Sequence, residues 1–493
     1  MKWILALAAG AVMATVAAQA EASSLFLPGN LVVAVSGAGV PGIAVGAPGP
    51  YTDNQASPLT LFQYSLSGTS SASYVNNLVL PQSSSGGNSA ISAEYGSSSE
   101  GMLQLTGNGK ALTIMGYGVD AASFNGNPTA YGTTVNDPTK PDALAQSGSL
   151  LGQSYTPISR VVGVIHANGD TDTTTQLYGV FNGNNPRSVY SADGSSFYVS
   201  GQGHSPDATG GVFYATAGAH TATAITGLDT NGKTSSQDTR DVQIVNGQLT
   251  VSVDSKEGSG SNRDFIGTLG AAGSPPTTLA NSGNGPTRLA GFGNSGGTGK
   301  FTLNANTASG VNSPGQEINL SPEQFFMASS TVMYVADSGM PKNDSVTNDK
   351  GSISTLGDGG LQKWVLVGGT WTLEYTVSAG LGLVANTGAS GTTGLFGLTG
   401  KVVNGQVELY ATNFTIGDTD QTYLYGLTDT LASLAPAGGE GFTQLAAAPG
   451  DSRFRGLAFA PTPEPSTWAL LILGVGLMGV KLRRRPRAAT TAA

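Results

Sequence analysis

Short apolar runs separated by polar residues extend along most of the chain. Each run has three to five residues, often alternates apolar with polar positions, and is flanked by Gly, Asn, Asp or Ser; examples are 31–35, 112–115, 249–253, 332–335 and 407–410. A period of two is typical of β-strands with one buried face. The segment closest to a helical period, 143–151, is weak. The pattern therefore predicts an all-β body.

Dipeptides suited to tight turns lie between successive predicted strands. Asn and Gly tolerate the positive φ angles that two-residue hairpin turns require. Five such pairs occur, at 108–109, 193–194, 246–247, 368–369 and 404–405. Parallel strands would need long crossover connections, usually helical, and the sequence gives no sign of them. The turns therefore predict a sequential antiparallel meander.

An imperfect repeat runs through this meander. Four predicted strands open with an arginine, namely Arg160, Arg187, Arg240 and Arg455. The segment 188–200 resembles a bacterial β-propeller blade, with a strand, an Asp-Gly turn and a second strand. Radial repetition of four-stranded sheets accounts for many short strands and leaves only short edges. We predict a β-propeller of seven four-stranded blades, with six or eight as alternatives.

Ring closure makes this prediction specific. The segments 30–35 and 454–459 both resemble strands and lie near the two ends of the body. In a propeller they should occupy the same blade or neighbouring blades, so that both chain ends leave one side of the molecule. A pair of β-sandwich domains, divided within the Gly-rich segment 270–299, is the rival fold.

The N-terminal segment has the features of a secretory signal peptide. Lys2 supplies the positive charge, 3–16 is apolar, and Ala18-Gln19-Ala20 fits a small-x-small cleavage site. We therefore expect signal peptidase to remove residues 1–20; cleavage after Ala22 is an alternative. The body would then span 21–462.

The C-terminal segment 463–493 combines three features in order. Pro463-Glu464-Pro465 precedes the apolar run 468–482, and Arg483, Arg484, Arg485 and Arg487 follow it. A full membrane span needs about 20 apolar residues, so this run predicts a short transmembrane helix. Trp468 stands where interfacial aromatic residues occur, and the arginines, together with Lys481, place the C-terminus in the cytoplasm.

This segment resembles a PEP-CTERM sorting tail. The resemblance implies export by a Gram-negative bacterium that produces exopolysaccharide, and cleavage by an inner-membrane exosortase near Pro463-Glu464-Pro465. The processed body would pass from a membrane-anchored intermediate to the cell surface or the extracellular matrix. A permanent single-span anchor is the alternative.

Composition narrows the range of partners. Charged residues are only 11% of the chain, and the 16 basic and 30 acidic residues of 21–462 give a net charge of −14. Such a body should not bind nucleic acid non-specifically, and it should avoid anionic polysaccharides unless divalent cations bridge them. The chain has no cysteine, which excludes disulfides and thiolate catalysis.

Catalytic patterns are absent from the sequence. His166, His204 and His220 have no metal-ligand spacing. The segment 293–297 has the letters of a G-x-S-x-G elbow but lacks the strand and helix around it. Glu94 and Glu100 could form a glycosidase pair only if they faced one cleft at a defined separation. We therefore predict no catalytic or cofactor-binding residue.

One acidic pattern occurs twice. Asp170 and Asp172, like Asp418 and Asp420, lie in Gly-Asp-Thr-Asp-x-Thr. Paired carboxylates with nearby hydroxyls can bind Ca²⁺, although the third ligand position and the distal Glu of a calcium loop are missing. Polar hairpin turns in repeated blades are the simpler interpretation, since Asp and Thr favour turns.

Three functions remain open. The sequence favours a non-catalytic interaction scaffold at the cell surface or in the matrix, with exopolysaccharide or other matrix proteins as partners. The alternatives are a carbohydrate-active or lyase-type propeller enzyme, and a calcium- or glycan-binding adhesion module. The side chains at the central channel should discriminate between them.

Overall fold

A computed structural model describes residues 25–39, 49–133, 142–204, 207–227, 238–254, 264–280, 285–292, 300–302, 317–339, 359–384 and 390–463. These residues form 27 strands, one short α-helix (α1, Ala121–Gly126) and two 3₁₀ turns, Pro128–Tyr131 and Leu144–Gln146. The predicted all-β body is confirmed.

Four sheets contain four strands each, hydrogen-bonded antiparallel in chain order. Blade 3 consists of β9 (Pro186–Tyr190), β10 (Ser196–Gly201), β11 (Gly211–Thr216) and β12 (Thr223–Ala224); blade 4 of β13 (Thr239–Val245), β14 (Gln248–Asp254), β15 (Asp264–Leu269) and β16 (Thr287–Arg288); blade 5 of β19 (Pro322–Met327), β20 (Val332–Asp337), β21 (Gly360–Val367) and β22 (Thr370–Val377); and blade 6 of β23 (Thr392–Val403), β24 (Gln406–Thr415), β25 (Tyr423–Thr430) and β26 (Thr443–Ala447).

A nine-stranded sheet contains two further meanders. Its strands are β1 (Leu31–Gly37), β2 (Ala56–Ser67), β3 (Ser71–Val79), β4 (Ser92–Glu94), β5 (Gln104–Leu105), β6 (Ala111–Tyr117), β7 (Arg160–His166), β8 (Thr171–Leu177) and β27 (Ser452–Phe459). The order β27-β1-β2-β3 forms blade 1, and β5-β6-β7-β8 forms blade 2. The strand β4 joins them by pairing with both β2 and β6. A separate hairpin, β17 (Lys300–Thr302) and β18 (Glu317–Asn319), precedes blade 5.

The first and last strands of the body are neighbours. β27 pairs antiparallel with β1, from Leu31 opposite Phe459 to Gly37 opposite Ser452, with one bulge near Val33 to Val35. The predicted closure of the two ends in one blade is therefore confirmed.

Neighbouring blades pack through their first strands. β5 contacts β9, β9 contacts β13, β13 contacts β19, β19 contacts β23, β23 contacts β27, and β27 contacts β5. The body is thus propeller-like. Seven blades are not confirmed: the described strands form four four-stranded sheets and two further meanders within the nine-stranded sheet, and a long connection such as 118–159 contributes no strand among the described residues.

The β-sandwich alternative is wrong. One hydrophobic cluster runs from Tyr198 in blade 3 through Val251 in blade 4 to Trp364 in blade 5. The core is therefore continuous across the segment 270–299, where two domains would have been divided. Trp364 stacks on Phe292, with ring centroids 4.0 Å apart, so part of this segment itself belongs to the core.

The predicted turns all lie at one end of the blades. The turns 246–247, 368–369 and 404–405 have two residues, both with positive φ, whereas 106–110 and 191–195 are five-residue connections. All five join first to second or third to fourth strands, which places them on one side, the short-turn face. The second-to-third connections reach the opposite side, the long-loop face.

A repeated hydrogen bond joins neighbouring blades. In four cases a buried hydroxyl on the second strand of one blade donates to a carbonyl on the first strand of the next: Thr113 to Val189, Ser200 to Arg240, Ser252 to Glu323 and Thr412 to Arg455. These bonds hold the first strands in a common register along the channel axis.

The export segments cannot be compared with the structure. The signal peptide 1–20 lies outside the described residues, as do Glu464, Pro465, Trp468, Lys481, Arg483, Arg484, Arg485 and Arg487. Within the described ranges, every helix is too short or too polar to cross a membrane. The transmembrane helix 468–482 stays a prediction.

Replacing Thr412 by valine should destabilise the body. Thr412→Val keeps the shape of the side chain but leaves the buried carbonyl of Arg455 without its donor at 2.7 Å. We expect a loss of about 1–3 kcal/mol in the free energy of unfolding, measured by urea denaturation. Thr443→Val, at an exposed position on the fourth strand of the same blade, is the control and should change stability by less than about 0.5 kcal/mol. Equal effects would contradict a role for the inter-blade bond.

Candidate functional site

Buried charged residues meet where the first strands begin, at the long-loop face. We call this region the channel mouth and define it by Glu100, Arg187, Arg240, Glu323 and Arg455. Each of these side chains is at most 4% exposed. Isolated buried charges are costly, so their partners determine what the region can do.

Arg240 is the centre of an ionic network between blades 4 and 5. Its Nη1 donates to Glu323 at 2.7 Å, and its Nη2 donates to Asp254 at 2.8 Å. Its Nε lies 3.4 Å from Asp238, which also forms an ion pair with Arg187 at 2.7 Å. Burial acts to lower the pKa of Arg240, but the carboxylates of Glu323, Asp238 and Asp254 outweigh it and raise the pKa above its ordinary value.

Glu94 and Glu100 come together beside this network. The Glu94 backbone N–H donates to Glu100 Oε1 at 2.6 Å, and Tyr117 donates to Glu100 Oε2 at 2.7 Å. Glu94 Oε2 accepts from the backbone N–H of Ala145 at 2.6 Å. Burial raises the pKa of both carboxyls, and the charge of Glu100 raises the pKa of Glu94 further. The pair therefore favours the uptake of a proton.

Arg455 lies close to these carboxyls without bonding to them. Its Nε and Nη2 atoms are buried and have no hydrogen-bond partner among the residues that the structure describes. Burial lowers its pKa to about 10, and Glu100 partly offsets this effect. The neighbouring Arg453 is engaged differently: it donates to the carbonyl of Thr419 and lies 5.2 Å from the centre of the Tyr95 ring.

Polar side chains fill the axis below the mouth. Gln104 of blade 2 donates to Asp241 of blade 4 at 2.6 Å. Gln324 of blade 5 donates to the carbonyl of Leu103 at 3.4 Å and accepts from the N–H of Leu398 at 2.9 Å. These bonds cross the axis, so the channel is a packed core at this level.

The two acidic motifs are not structurally equivalent. Asp170 lies between β7 and β8 and Asp172 is the second residue of β8, both toward the short-turn face, whereas Asp418 and Asp420 lie between β24 and β25, on the long-loop face. Asp420 accepts from the N–H groups of Gly391 and Gly417 at 2.7 and 2.9 Å, and Asp172 accepts from Thr174 at 2.7 Å. These are turn-stabilising bonds.

No calcium site is apparent in the structure. Throughout the described ranges, no cluster of three or more His, Asp or Glu side chains could hold a metal ion. His204 is the histidine with a carboxylate nearby, 3.5 Å from Asp207, and it is 61% exposed.

Sequence reasoning missed the arginines as site residues. Arg187 and Arg240 are the second residues of their first strands, Arg455 is the fourth residue of the first strand β27, and Arg160 opens the third strand of blade 2. The repeat of strand-opening arginines was the available signal, and in a chain so poor in charge each such residue is noteworthy. Sequence could not show that these three first strands converge.

The end of the body is held on the short-turn face. The N–H and Oγ1 of Thr462 donate to the carbonyl of Gly109 at 2.8 and 3.0 Å. Lys110 Nζ donates to the carbonyl of Pro463 at 3.3 Å. Pro463, the first residue of the predicted sorting motif, therefore stands directly on the folded body.

Comparison with known proteins identifies the C-terminal segment. Residues 461–485 match the family model of the PEP-CTERM protein-sorting motif. The chain is therefore an exosortase-targeted exported protein with a propeller-like body. No curated protein matches it.

Three solved structures are distantly similar. A Bacteroides fragilis protein assigned as a 6-phosphogluconolactonase is 9% identical, with 87% of this chain and 98% of that one covered and a TM-score of 0.34. The β-propeller domain of the Trilobed protease from Pyrococcus furiosus is 8% identical, with 84% and 97% covered and a TM-score of 0.26. Trypanosoma rangeli sialidase is 11% identical, with 96% and 64% covered and a TM-score of 0.30. TM-scores of this size carry no argument about activity.

Replacing Arg240 should lower the free energy of unfolding more than replacing a surface cation does. Arg240→Met leaves Glu323 and Asp254 buried without their counter-charge, and we expect a loss of about 3–5 kcal/mol in the free energy of unfolding. Lys401→Met removes a half-exposed pair with Glu408 at 2.9 Å and should cost less than about 1 kcal/mol. Similar losses in urea denaturation would contradict the importance of the network.

The Glu94–Glu100 pair should make stability fall as pH rises. A carboxyl whose pKa is raised on folding binds its proton more tightly in the folded state, so the folded state loses stability as pH climbs from the ordinary carboxyl pKa to the raised one. Glu94→Gln should therefore stabilise the protein by a margin that grows as the pH rises above the ordinary carboxyl pKa, which is about 4.3. The measurement is chemical denaturation at several pH values. A margin independent of pH would refute the assignment.

Proposed function

We propose that the body 21–462 is a non-catalytic interaction scaffold. Signal peptidase removes residues 1–20 during export, and exosortase then releases the body from the tail 463–493. Its partners during export are signal peptidase, exosortase and the membrane, and its destination is the cell surface or the matrix. We further infer that the six blades close into one ring, because each first strand contacts the next and the cycle returns to β5.

One observation carries this proposal: both chain ends leave from the short-turn face. β1 begins and β27 ends on that side, and the bonds of Thr462 to Gly109 hold the last residues there. A membrane helix attached at Pro463 would therefore keep the short-turn face toward the membrane. The channel mouth would face away from it, accessible to partners before and after release.

The arrangement of the mouth favours binding over catalysis. The axis is filled by Gln104, Asp241 and Gln324, so no substrate can enter deeply. Glu94 and Glu100 accept bonds from backbone N–H groups, which fixes them as part of the fold. A general acid or base needs a carboxyl that reaches the substrate, and these two are at most 6% exposed.

Processing can be tested directly in exosortase-containing cells. We expect the wild-type chain to appear as a shortened, released form that ends near residue 463, measured by mass spectrometry of the C-terminal peptide. The triple variant Pro463→Ala, Glu464→Ala, Pro465→Ala should accumulate at full length in the membrane fraction.

A matched control shows whether a loss of processing is specific to the sorting motif. Pro28→Ala changes an exposed proline near the other chain end and should leave processing unchanged. Release of the triple variant at the wild-type level would contradict exosortase processing at this motif. Turnover of a matrix polysaccharide by the purified body would contradict the scaffold role.

A further inference from the structure

A cavity of about 450 Å³ lies at the outer part of blade 6, on the long-loop face. Its walls come from the segments 380–384 and 390–392, between β22 and β23, from 420–425, and from Gln444 of β26. Cavities that bind small molecules have volumes of about 300–1,000 Å³. The cavity contains none of the residues that define the channel mouth, so it is a separate place on the same face.

A ligand can reach this cavity from solvent. The residues at its rim are exposed, namely Gly380, Gly382, Ser390 and Gln444. A Cβ added at Gly382 would meet no atom within 4 Å, so the entrance is open there. Tyr423 is half-buried and reaches the interior of the cavity from the rim. Binding therefore needs no rearrangement of the fold.

One wall of the cavity is aromatic and firmly supported. Tyr423 and Tyr425 lie on the same face of β25, because alternate residues of a strand share a face, and their ring centres are 6.0 Å apart. Phe442 packs edge-on against Tyr425, with 6.0 Å between ring centres. The N–H of Tyr423 donates to Asn413 Oδ1 at 2.7 Å, which fixes the strand end. The wall thus offers a preformed apolar surface.

Polar groups with unused hydrogen-bonding capacity stand opposite this wall. Asp420 Oδ2 accepts from the N–H groups of Gly391 and Gly417 at 2.7 and 2.9 Å, and these bonds orient the carboxylate. Its Oδ1 makes no hydrogen bond within the described ranges, so it can accept from a ligand. Gln444 contributes an exposed amide, which both donates and accepts.

The charge of the lining decides which ligand fits. Among the described residues that line the cavity, Asp420 is the only charged one. A carboxylate, phosphate or sulfate would be repelled by it and would find no cation to pair with. The two backbone N–H groups already offset part of the charge of Asp420, which weakens its attraction for a cation. A neutral ligand that carries hydroxyls meets neither difficulty.

We propose that this cavity binds a neutral sugar unit of a polysaccharide. The C–H face of the ring packs on Tyr423 and Tyr425, one hydroxyl donates to Asp420 Oδ1, and another exchanges hydrogen bonds with the amide of Gln444. The open entrance lets the rest of the polysaccharide continue into solvent. This proposal rests on the scaffold function proposed above and names the chemical class of the scaffold's ligand. No covalent bond forms or breaks.

Titration of the full chain, purified in a detergent without a sugar head group, tests the site. The probes are cellotetraose, mannotetraose and the N-acetylglucosamine tetramer at up to about 10 mM, followed by calorimetry and ligand-observed NMR. We expect at least one probe to bind, and Tyr423→Ala to weaken that binding by about tenfold or more. Asp420→Asn should weaken it by less, because the asparagine oxygen still accepts the two backbone bonds while its NH₂ replaces the acceptor.

A matched tyrosine on another blade is the control. Tyr74, on β3 of blade 1, is 38% exposed and has the rings of Phe62 and Tyr64 at 5.6 and 6.0 Å. Tyr74→Ala should bind like the wild type. Circular dichroism verifies folding. If Tyr423→Ala does not fold, Gln444→Ala, at an exposed position, replaces it and should weaken binding by about threefold or more.

Charged tetramers test the ligand class. The glucosamine tetramer has the backbone of the N-acetylglucosamine tetramer but carries positive charges, and a uronate tetramer carries negative ones. We expect both to bind more weakly than the best neutral probe. The proposal is overturned if no neutral probe binds, if the cavity variants bind like the wild type, or if a charged tetramer binds more tightly than every neutral one.

These outcomes are separate from the fate of the scaffold proposal, because the titration needs no exosortase. Binding that depends on Tyr423, by a chain that is not released in cells, supports the site and contradicts the proposed processing. Binding followed by the appearance of new reducing ends supports the site but contradicts the non-catalytic role. Failure of every neutral probe with normal release overturns the site alone.

Discussion

The pairing of β27 with β1 is the interaction on which the rest of the structure depends. It places the last strand of the body in the first blade and lets each first strand contact two others. Closure entropy grows only slowly with loop length, so joining the distant ends costs little more than closing a shorter loop. Without this pairing, blade 1 would lose its innermost strand, and the channel mouth would lose the wall that carries Arg455.

In the ring inferred above, the interior is where this low-charge chain concentrates its buried ions. Arg187, Arg240 and Glu323 are the second residues of their strands, and Arg455 is the fourth residue of β27. Replacing a buried ion pair by apolar residues is often neutral or stabilising, so stability alone does not explain such a network. We infer that the directional bonds of this network specify which blade meets which.

The antiparallel meander also separates two tasks. Connections alternate between the two ends of each blade, so the five predicted turns and both ends of the body occupy one face, while the second-to-third connections occupy the other. The contacts of Thr462 with Gly109 attach the tail to the short-turn face. In the proposed function, tethering to the membrane and recognition at the channel mouth therefore use opposite sides of one rigid body and do not compete for surface.

Local features could be predicted from the sequence, because strand periodicity, the positive φ of Asn246-Gly247 and the order of motif, apolar run and arginines depend on neighbouring residues alone. These patterns predicted the strands, the turns and the sorting motif. Features that depend on distant residues required the folded chain. It places the Asp170 and Asp418 motifs on opposite faces, and Glu94 and Glu100 in one buried site. Burial and charge pairing arise only when strands far apart in sequence are brought together, so a linear pattern could identify Arg240 as a repeat position but not as the centre of an ionic network.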